Sequence, residues 1–171
     1  GKILIMVNGS NLGLTVPQVF VEFIDSGDDH YDNIYISIFN KILRYFAIVF
    51  TLTLSPLYII VVAFHPDFLP PNYILALAAS RATVPINALI EAFSMELAAE
   101  LLREATIRLP KQIGPAIGIV GTIVVGEAAV GAGIVSPLMV IIISLATLSS
   151  FSIPDFTIMN SIRILKFALI I

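Results

Sequence analysis

The chain has 171 residues, 58% of them hydrophobic and 12% charged, with a mean hydropathy of +0.99. Soluble domains carry about 25% charged residues, so this composition reads as an integral membrane protein of mainly α, polytopic helical class. The net charge of −3 is too small and too dispersed to point to nucleic acid, and the absence of cysteine excludes disulfides, thiolate nucleophiles and cysteine-held metals.

Residues 2–7 and 11–17 are two short β-like runs about Asn8-Gly9-Ser10, a turn sequence that favours positive φ, so a β-hairpin is expected at the N-terminus. Such a hairpin has too little core to fold alone. Residues 18–39 pass from an apolar patch, VFVEFI, to the polar run DSGDDHYDN. We read residues 1–39 as the end of a cytosolic domain and its approach to the membrane, and residues 40–171 as a helical transmembrane domain. The start at Gly1 and the stop at Ile171 within an apolar run suggest a fragment truncated at both ends, and no signal peptide is apparent.

Residues 46–64 are uncharged and long enough to cross most of a hydrocarbon core about 30 Å thick. Pro56 lies inside this run and is expected to kink the helix, with Ser55 available to bond the freed carbonyls. Lys41 and Arg44 precede it, which places its N-terminus on the cytoplasmic side. Further along, Gly114, Gly118 and Gly126, with Thr122 between the last two, fall on one helical stripe where small residues allow close helix packing. Residues 128–154 contain no charge, and the pattern predicts two short crossings joined near residues 127–136. Arg163 and Lys166 then precede a last apolar run and, with Arg103, Arg108 and Lys111, are expected on the cytoplasmic side.

Residues 81–108 place seven charges in a sequence otherwise apolar enough for a bilayer. One charge at the bilayer centre costs roughly 2.5–3.5 kcal/mol on insertion scales, so this polar face must avoid lipid. It can lie at the interface, pair inside a bundle, or face water in a pore. On a helical projection Glu96, Glu100, Arg103, Glu104 and Arg108 cluster, linked by the Glu100–Arg103 and Glu104–Arg108 spacings, and form an expected face of structural charge pairs. Glu91 projects away from them without a basic residue three or four positions off, and Arg81 likewise stands alone. Glu127 lies between two glycine-rich apolar runs, either as a functional acid or as a loop residue at the membrane surface.

Ordered motifs from His65 onward resemble the spore germinant receptor A-subunit family, the GerA/SpoVAF-type spore germination membrane proteins. They are FHPDFLP at 64–70, SRATVP at 80–85, EAFSMELAAELLREATIRLP at 91–110, IGIVGTIVVG at 117–126, AAVGAGIVSP at 128–137, SFSIPDF at 150–156 and SIRILKF at 161–167. Upstream, residues 7–31 look like the end of that family's cytosolic region. The resemblance implies a subunit in the inner membrane of the bacterial spore, working with a transporter-like B subunit and a lipoprotein C subunit. It further implies a homo-oligomer that passes monovalent cations when a nutrient germinant binds. Family members often carry Gln at the position of Glu127, so here a charge enters a polar neutral site.

Taken with the resemblance, the water-facing reading of the acidic helix is favoured. Glu91, Glu96, Glu100 and Glu127 are then the candidates for a pore lining or a subunit contact, with Glu91 foremost. The competing class is a non-conducting scaffold subunit; a secondary transporter fits less well, because no inverted repeat is visible. No enzyme is indicated: His30 and His65 fall in different expected compartments, and neither a phosphate-binding glycine loop nor a cofactor motif is present.

Overall fold

Asn8-Gly9 makes its turn with Gly9 at φ 89°, a conformation that costs glycine little, and the strands on either side pair antiparallel. Strand β1 (Ile3–Met6) lies against β2 (Gly13–Val16), with Ile3 opposite Val16 and Met6 opposite Gly13. All eight strand residues are exposed, as expected of a ribbon without a core of its own. The computed structural model describes residues 1–9, 13–31, 33–110, 113–154 and 156–170, except for the side chains at 28, 30, 156 and 157. Ser10, Lys111, Gln112 and Ile171 therefore lie outside the described residues, as does the side chain of His30.

The rest is helical. A short helix α1 (Phe20–Ile24) and a 3-10 turn (Gly27–His30) lead into α2 (Ile34–Ile59), which continues as a π turn (Ile60–Phe64). Asn33 caps α2 by accepting from the Tyr35 amide at 3.2 Å. The helix thus begins twelve residues before the uncharged run at 46–64, because Lys41 and Arg44 sit within it and reach back to Asp25 and Asp29. It is continuous across residues 39 and 40. Pro56 lies inside α2, and the chain widens into the π turn shortly afterwards, where the His65 amide bonds the Ile60 carbonyl at 2.9 Å. The Ser55 hydroxyl does not bond back to the helix as expected; it donates to Glu96 on another helix.

After a 3-10 turn (Pro66–Phe68) come α3 (Pro71–Arg81), α4 (Ala88–Ile107), α5 (Gly114–Gly131), α6 (Pro137–Phe151) and α7 (Phe156–Ile170). Helix α4 packs against α2, α5, α6 and α7. Its buried stripe, Ala88, Ala92, Met95, Ala99, Arg103 and Thr106, repeats at intervals of three and four, and the alanines let neighbouring helices come close. Around it Tyr58, Ile59, Val135, Met139, Ile143 and Ile170 form the main apolar core. A second core, with Ile24, Ile48 and Ile162, seats α1 and α7 against the middle of α2.

Among the described residues two helices are long and apolar enough to cross a membrane, Ile34–Phe64 and Gly114–Gly131. Helix α6 has 15 residues. At 1.5 Å per residue it reaches about 22 Å, short of a hydrocarbon core of about 30 Å, so the second of the two expected short crossings is not matched by a helix of spanning length.

The buried residues of α5 are Gly114, Gly118, Thr122 and Gly126. A Cβ at Gly126 would stand 2.5 Å from Val140 Cγ1, and Val140 is β-branched and cannot swing aside. Replacing Gly126 by Ala should therefore destabilise by about 1–2 kcal/mol, overpacking outweighing the better helix propensity. Gly131, with nothing within 4 Å of its Cβ position, should gain up to about 1 kcal/mol from the same change. Thermal unfolding of the two variants in detergent checks the opposite signs.

Candidate functional site

Three carboxylates on α4 are turned into the bundle, and each meets a cation from a different stretch of chain. Glu91 is fully buried. Its Oε1 accepts from the Ser136 amide at 2.7 Å and the Ser136 hydroxyl at 2.6 Å; its Oε2 accepts from Arg81 Nη1 at 2.5 Å and from the Tyr58 hydroxyl at 3.3 Å. Arg81 also donates to the Tyr58 oxygen at 2.6 Å and, through Nη2, to the Ile86 carbonyl at 3.3 Å. Ser136 is the N-cap of α6, so the Glu91 carboxylate sits at the positive end of that helix. Four donor groups thus surround the acid, and the Tyr58 hydroxyl also lies 3.0 Å from Ser136 Oγ.

Five residues on, Glu96 is paired with Lys166 of α7 and accepts from Ser55 of α2. Both charged groups are buried, at 1% and 2% exposure, and the pair ties three helices together. Glu100 then stands between two guanidiniums, Arg163 of α7 and Arg103 Nη1 at 3.4 Å. Arg103 reaches α6 as well, donating from Nη2 to Ser150 Oγ at 2.7 Å and lying 5.7 Å from the centre of the Phe151 ring.

This geometry corrects the charge assignment drawn from the helical projection. Glu91 and Arg81 are not unpaired but bind one another, because the loop after α3 folds the guanidinium back over the start of α4. Of the expected in-helix links, Glu100–Arg103 is present; no ion pair joins Glu104 to Arg108 among the described residues, and Glu104 instead lies 3.8 Å from Arg163. Arg108 is exposed at the end of α4. The acids at 91, 96 and 100 do not face outward to water; cations from α3 and α7 neutralise them inside the bundle. Projection onto one helix shows partners three or four residues away, and these partners are 10, 63 and 70 positions distant. Tyr58, Ser136 and Lys166 were missed for that reason. The available signal is the pair Arg163 and Lys166 among apolar residues, since a cation buried in a helix bundle demands an acid.

Glu127 behaves differently. It is exposed on α5, beside the buried Gly126, and makes no hydrogen bond or ion pair among the described residues. No group of three or more metal-ligating side chains occurs among the described residues.

The family model described as Bacillus/Clostridium GerA spore germination protein matches residues 1–171. The chain belongs to this family. It is 41% identical over its whole length to "Spore germination protein KA" of Bacillus subtilis (strain 168), covering 31% of that protein, and 42% identical to "Spore germination protein B1" of the same organism, covering 35%. "Uncharacterized membrane protein YfkQ", also from Bacillus subtilis (strain 168), is 41% identical over 99% of this chain and 33% of its own length. The chain spans about a third of the length of these relatives. No solved structure matches it. These relatives carry the names of germination and membrane proteins, and none of the names is that of an enzyme.

At the N-terminal approach to α2, Asp29 takes Arg44 Nη2 on Oδ1 at 3.0 Å and Nη1 on Oδ2, while Lys41 pairs with Asp25 at 3.1 Å. The Arg44 hydrogen bonds, helped by the Ser26 amide and the charges of Arg44 and Lys41, outweigh burial and hold the Asp29 carboxyl below its usual range. An acid whose folded pKa is lowered stabilises fully above its unfolded value, about 3.9, and that stabilisation is lost as pH falls through the folded value. The 3-10 turn should therefore detach from α2 below about pH 4. Spin-label distances between residues 26 and 45 should lengthen on acidification, and Asp29→Asn should abolish that acid step.

Removing one member of a buried pair strands the other, at about 3–5 kcal/mol, whereas replacing both with apolar groups is far milder. Arg81→Met alone should lower the unfolding temperature steeply, and Arg81→Met with Glu91→Leu should recover much of the loss. If the double variant is as unstable as the sum of the singles, the pair is not coupled.

Proposed function

We propose that this chain is the membrane part of a nutrient-germinant receptor subunit that oligomerises and passes monovalent cations at the start of spore germination. The observation that carries the membrane part is the inverted distribution of polarity. Phe46, Val49, Leu57, Val120, Val124, Ile141, Leu145 and Leu169 are exposed, while Glu91, Glu96, Arg103, Lys166, Ser55, Thr51 and Thr122 are buried. Such a surface is unfavourable in water and suits lipid tails, and ionisable groups in a membrane belong in the protein interior. Membership of the GerA family and likeness to named spore germination proteins support the role in germination. On this reading the protein resides in the inner membrane of the spore, bounded by lipid, with a transporter-like B subunit and a lipoprotein C subunit as partners. Residues 1–39 form the end of a cytosolic domain, and residues 40–171 belong to the transmembrane domain.

The cation path is assigned to an oligomer, with Glu127 as the leading acid. An exposed carboxylate on an apolar helix needs water or a neighbouring subunit, and repeated around an axis it would raise the local cation concentration. Glu91, Glu96 and Glu100 are the secondary candidates, since their charges are already balanced within the chain. That internal balance favours a second reading, a non-conducting scaffold subunit.

Flux of a monovalent cation from liposomes holding the purified, assembled receptor separates the two. A channel should lose at least tenfold in flux on Glu127→Gln while keeping its unfolding temperature. Absence of flux from the assembled receptor supports the scaffold. Flux indifferent to Gln at 127, 91, 96 and 100 would remove these acids from the path.

A further inference from the structure

Beside the third ion-pair group lies a cavity of about 530 Å³, open at the end of the bundle where α4 and α6 finish and α5 and α7 begin. Arg103 lines it together with Thr106, Leu109, Phe151, Ile153 and Met159. The residue is only 2% exposed, and its Nε has no hydrogen-bond partner, although Nη1 and Nη2 are held by Glu100 and Ser150. A buried N–H left unmatched costs about 1–3 kcal/mol, and more on a charged group.

The carboxylates around it differ in burial. Arg103 and Arg163 share the single carboxylate of Glu100, whose Oε1 faces Arg163 without hydrogen-bond geometry. The other nearby acid, Glu104, is 62% exposed and 3.8 Å from Arg163. Two guanidiniums thus meet two carboxylates of unequal burial, and the group left without a partner at the cavity is the Arg103 Nε–H. The first turn of α5, Gly114 and Pro115, forms part of the same wall and adds the positive end of a helix dipole. Beyond these groups the lining is aliphatic and aromatic.

We propose that this cavity binds an anionic phospholipid, its phosphate taken by Arg103 and an acyl chain laid along Leu109, Phe151, Ile153 and Met159. A planar guanidinium with a free N–H suits a phosphate oxygen. The apolar wall suits a hydrocarbon chain better than a hydrated ion, which would find few polar partners there. The source of the lipid rests on the membrane reading above; the site itself does not depend on ion conduction.

Native mass spectrometry of the purified protein in detergent, titrated with phosphatidylglycerol, phosphatidylcholine or inorganic phosphate, tests the assignment. Phosphatidylglycerol should bind at least tenfold more tightly than either of the others. Arg103→Gln should abolish that preference. Leu109→Trp fills the mouth of the cavity without touching an ion pair, and should weaken phosphatidylglycerol at least tenfold with the unfolding temperature kept, so the test stands even if Arg103→Gln does not fold. Equal binding of the two lipids, inorganic phosphate binding as tightly as phosphatidylglycerol, or binding unaffected by Leu109→Trp would each overturn the proposal. Because no flux is measured, failure here leaves the channel reading intact, and failure of conduction leaves this site intact.

Discussion

A carboxylate taken out of water must be met by a cation and by hydrogen bonds to its remaining lone pairs, and α4 carries three such groups into the bundle. The placement of the surrounding elements follows from that requirement. Helix α3, which buries no residue of its own, is held through Arg81 and its bond to Glu91. Helix α7 is docked through Lys166 and Arg163, on successive turns of one face. Helix α6 contributes Ser136 at its start and Ser150 near its end, so both ends of it are tied to α4. The alanines of α4 make this possible, because larger side chains would keep the partner helices beyond the reach of a salt bridge.

Such pairs add little net stability compared with apolar packing, since desolvation offsets the attraction. Their effect is on specificity. An apolar helix can slide or rotate against its neighbours at small cost, whereas a displaced α4 would strand a charge in a medium that cannot solvate it. Register among α2, α3, α4, α6 and α7 is thereby fixed at three levels, while α5, joined to the bundle by Gly114, Gly118 and Gly126, packs by shape alone. Glu127 sits on that helix, on the side left free.

Some of this was legible in the sequence, and the limits are physical. The hairpin could be read because Asn-Gly marks a turn locally, and the buried side of α5 because small residues recur every four positions. The uncharged run marks the long helix but not its start, because Lys41 and Arg44 remain helical by reaching back to acids that precede the cap. The partners of Glu91 and Glu96 were beyond reach, because pattern reasoning sees contacts within one helix and these join residues brought together by tertiary packing. Burial of the charged face was one of the outcomes that composition allowed, and the choice among them required knowing where Arg81 and Lys166 lie.

The separation between Glu96 and Lys166 also bears on how the chain is made. They stand 70 positions apart in the chain. Domains emerge from synthesis at roughly 5–20 residues per second, so the acid of α4 exists for several seconds before its ammonium partner has been translated. On the proposed membrane reading, an uncompensated Glu96 would keep α4 out of lipid during that interval. Helix α4 would then settle only once α7 brings Lys166 to it, although it is made before α5, α6 and α7.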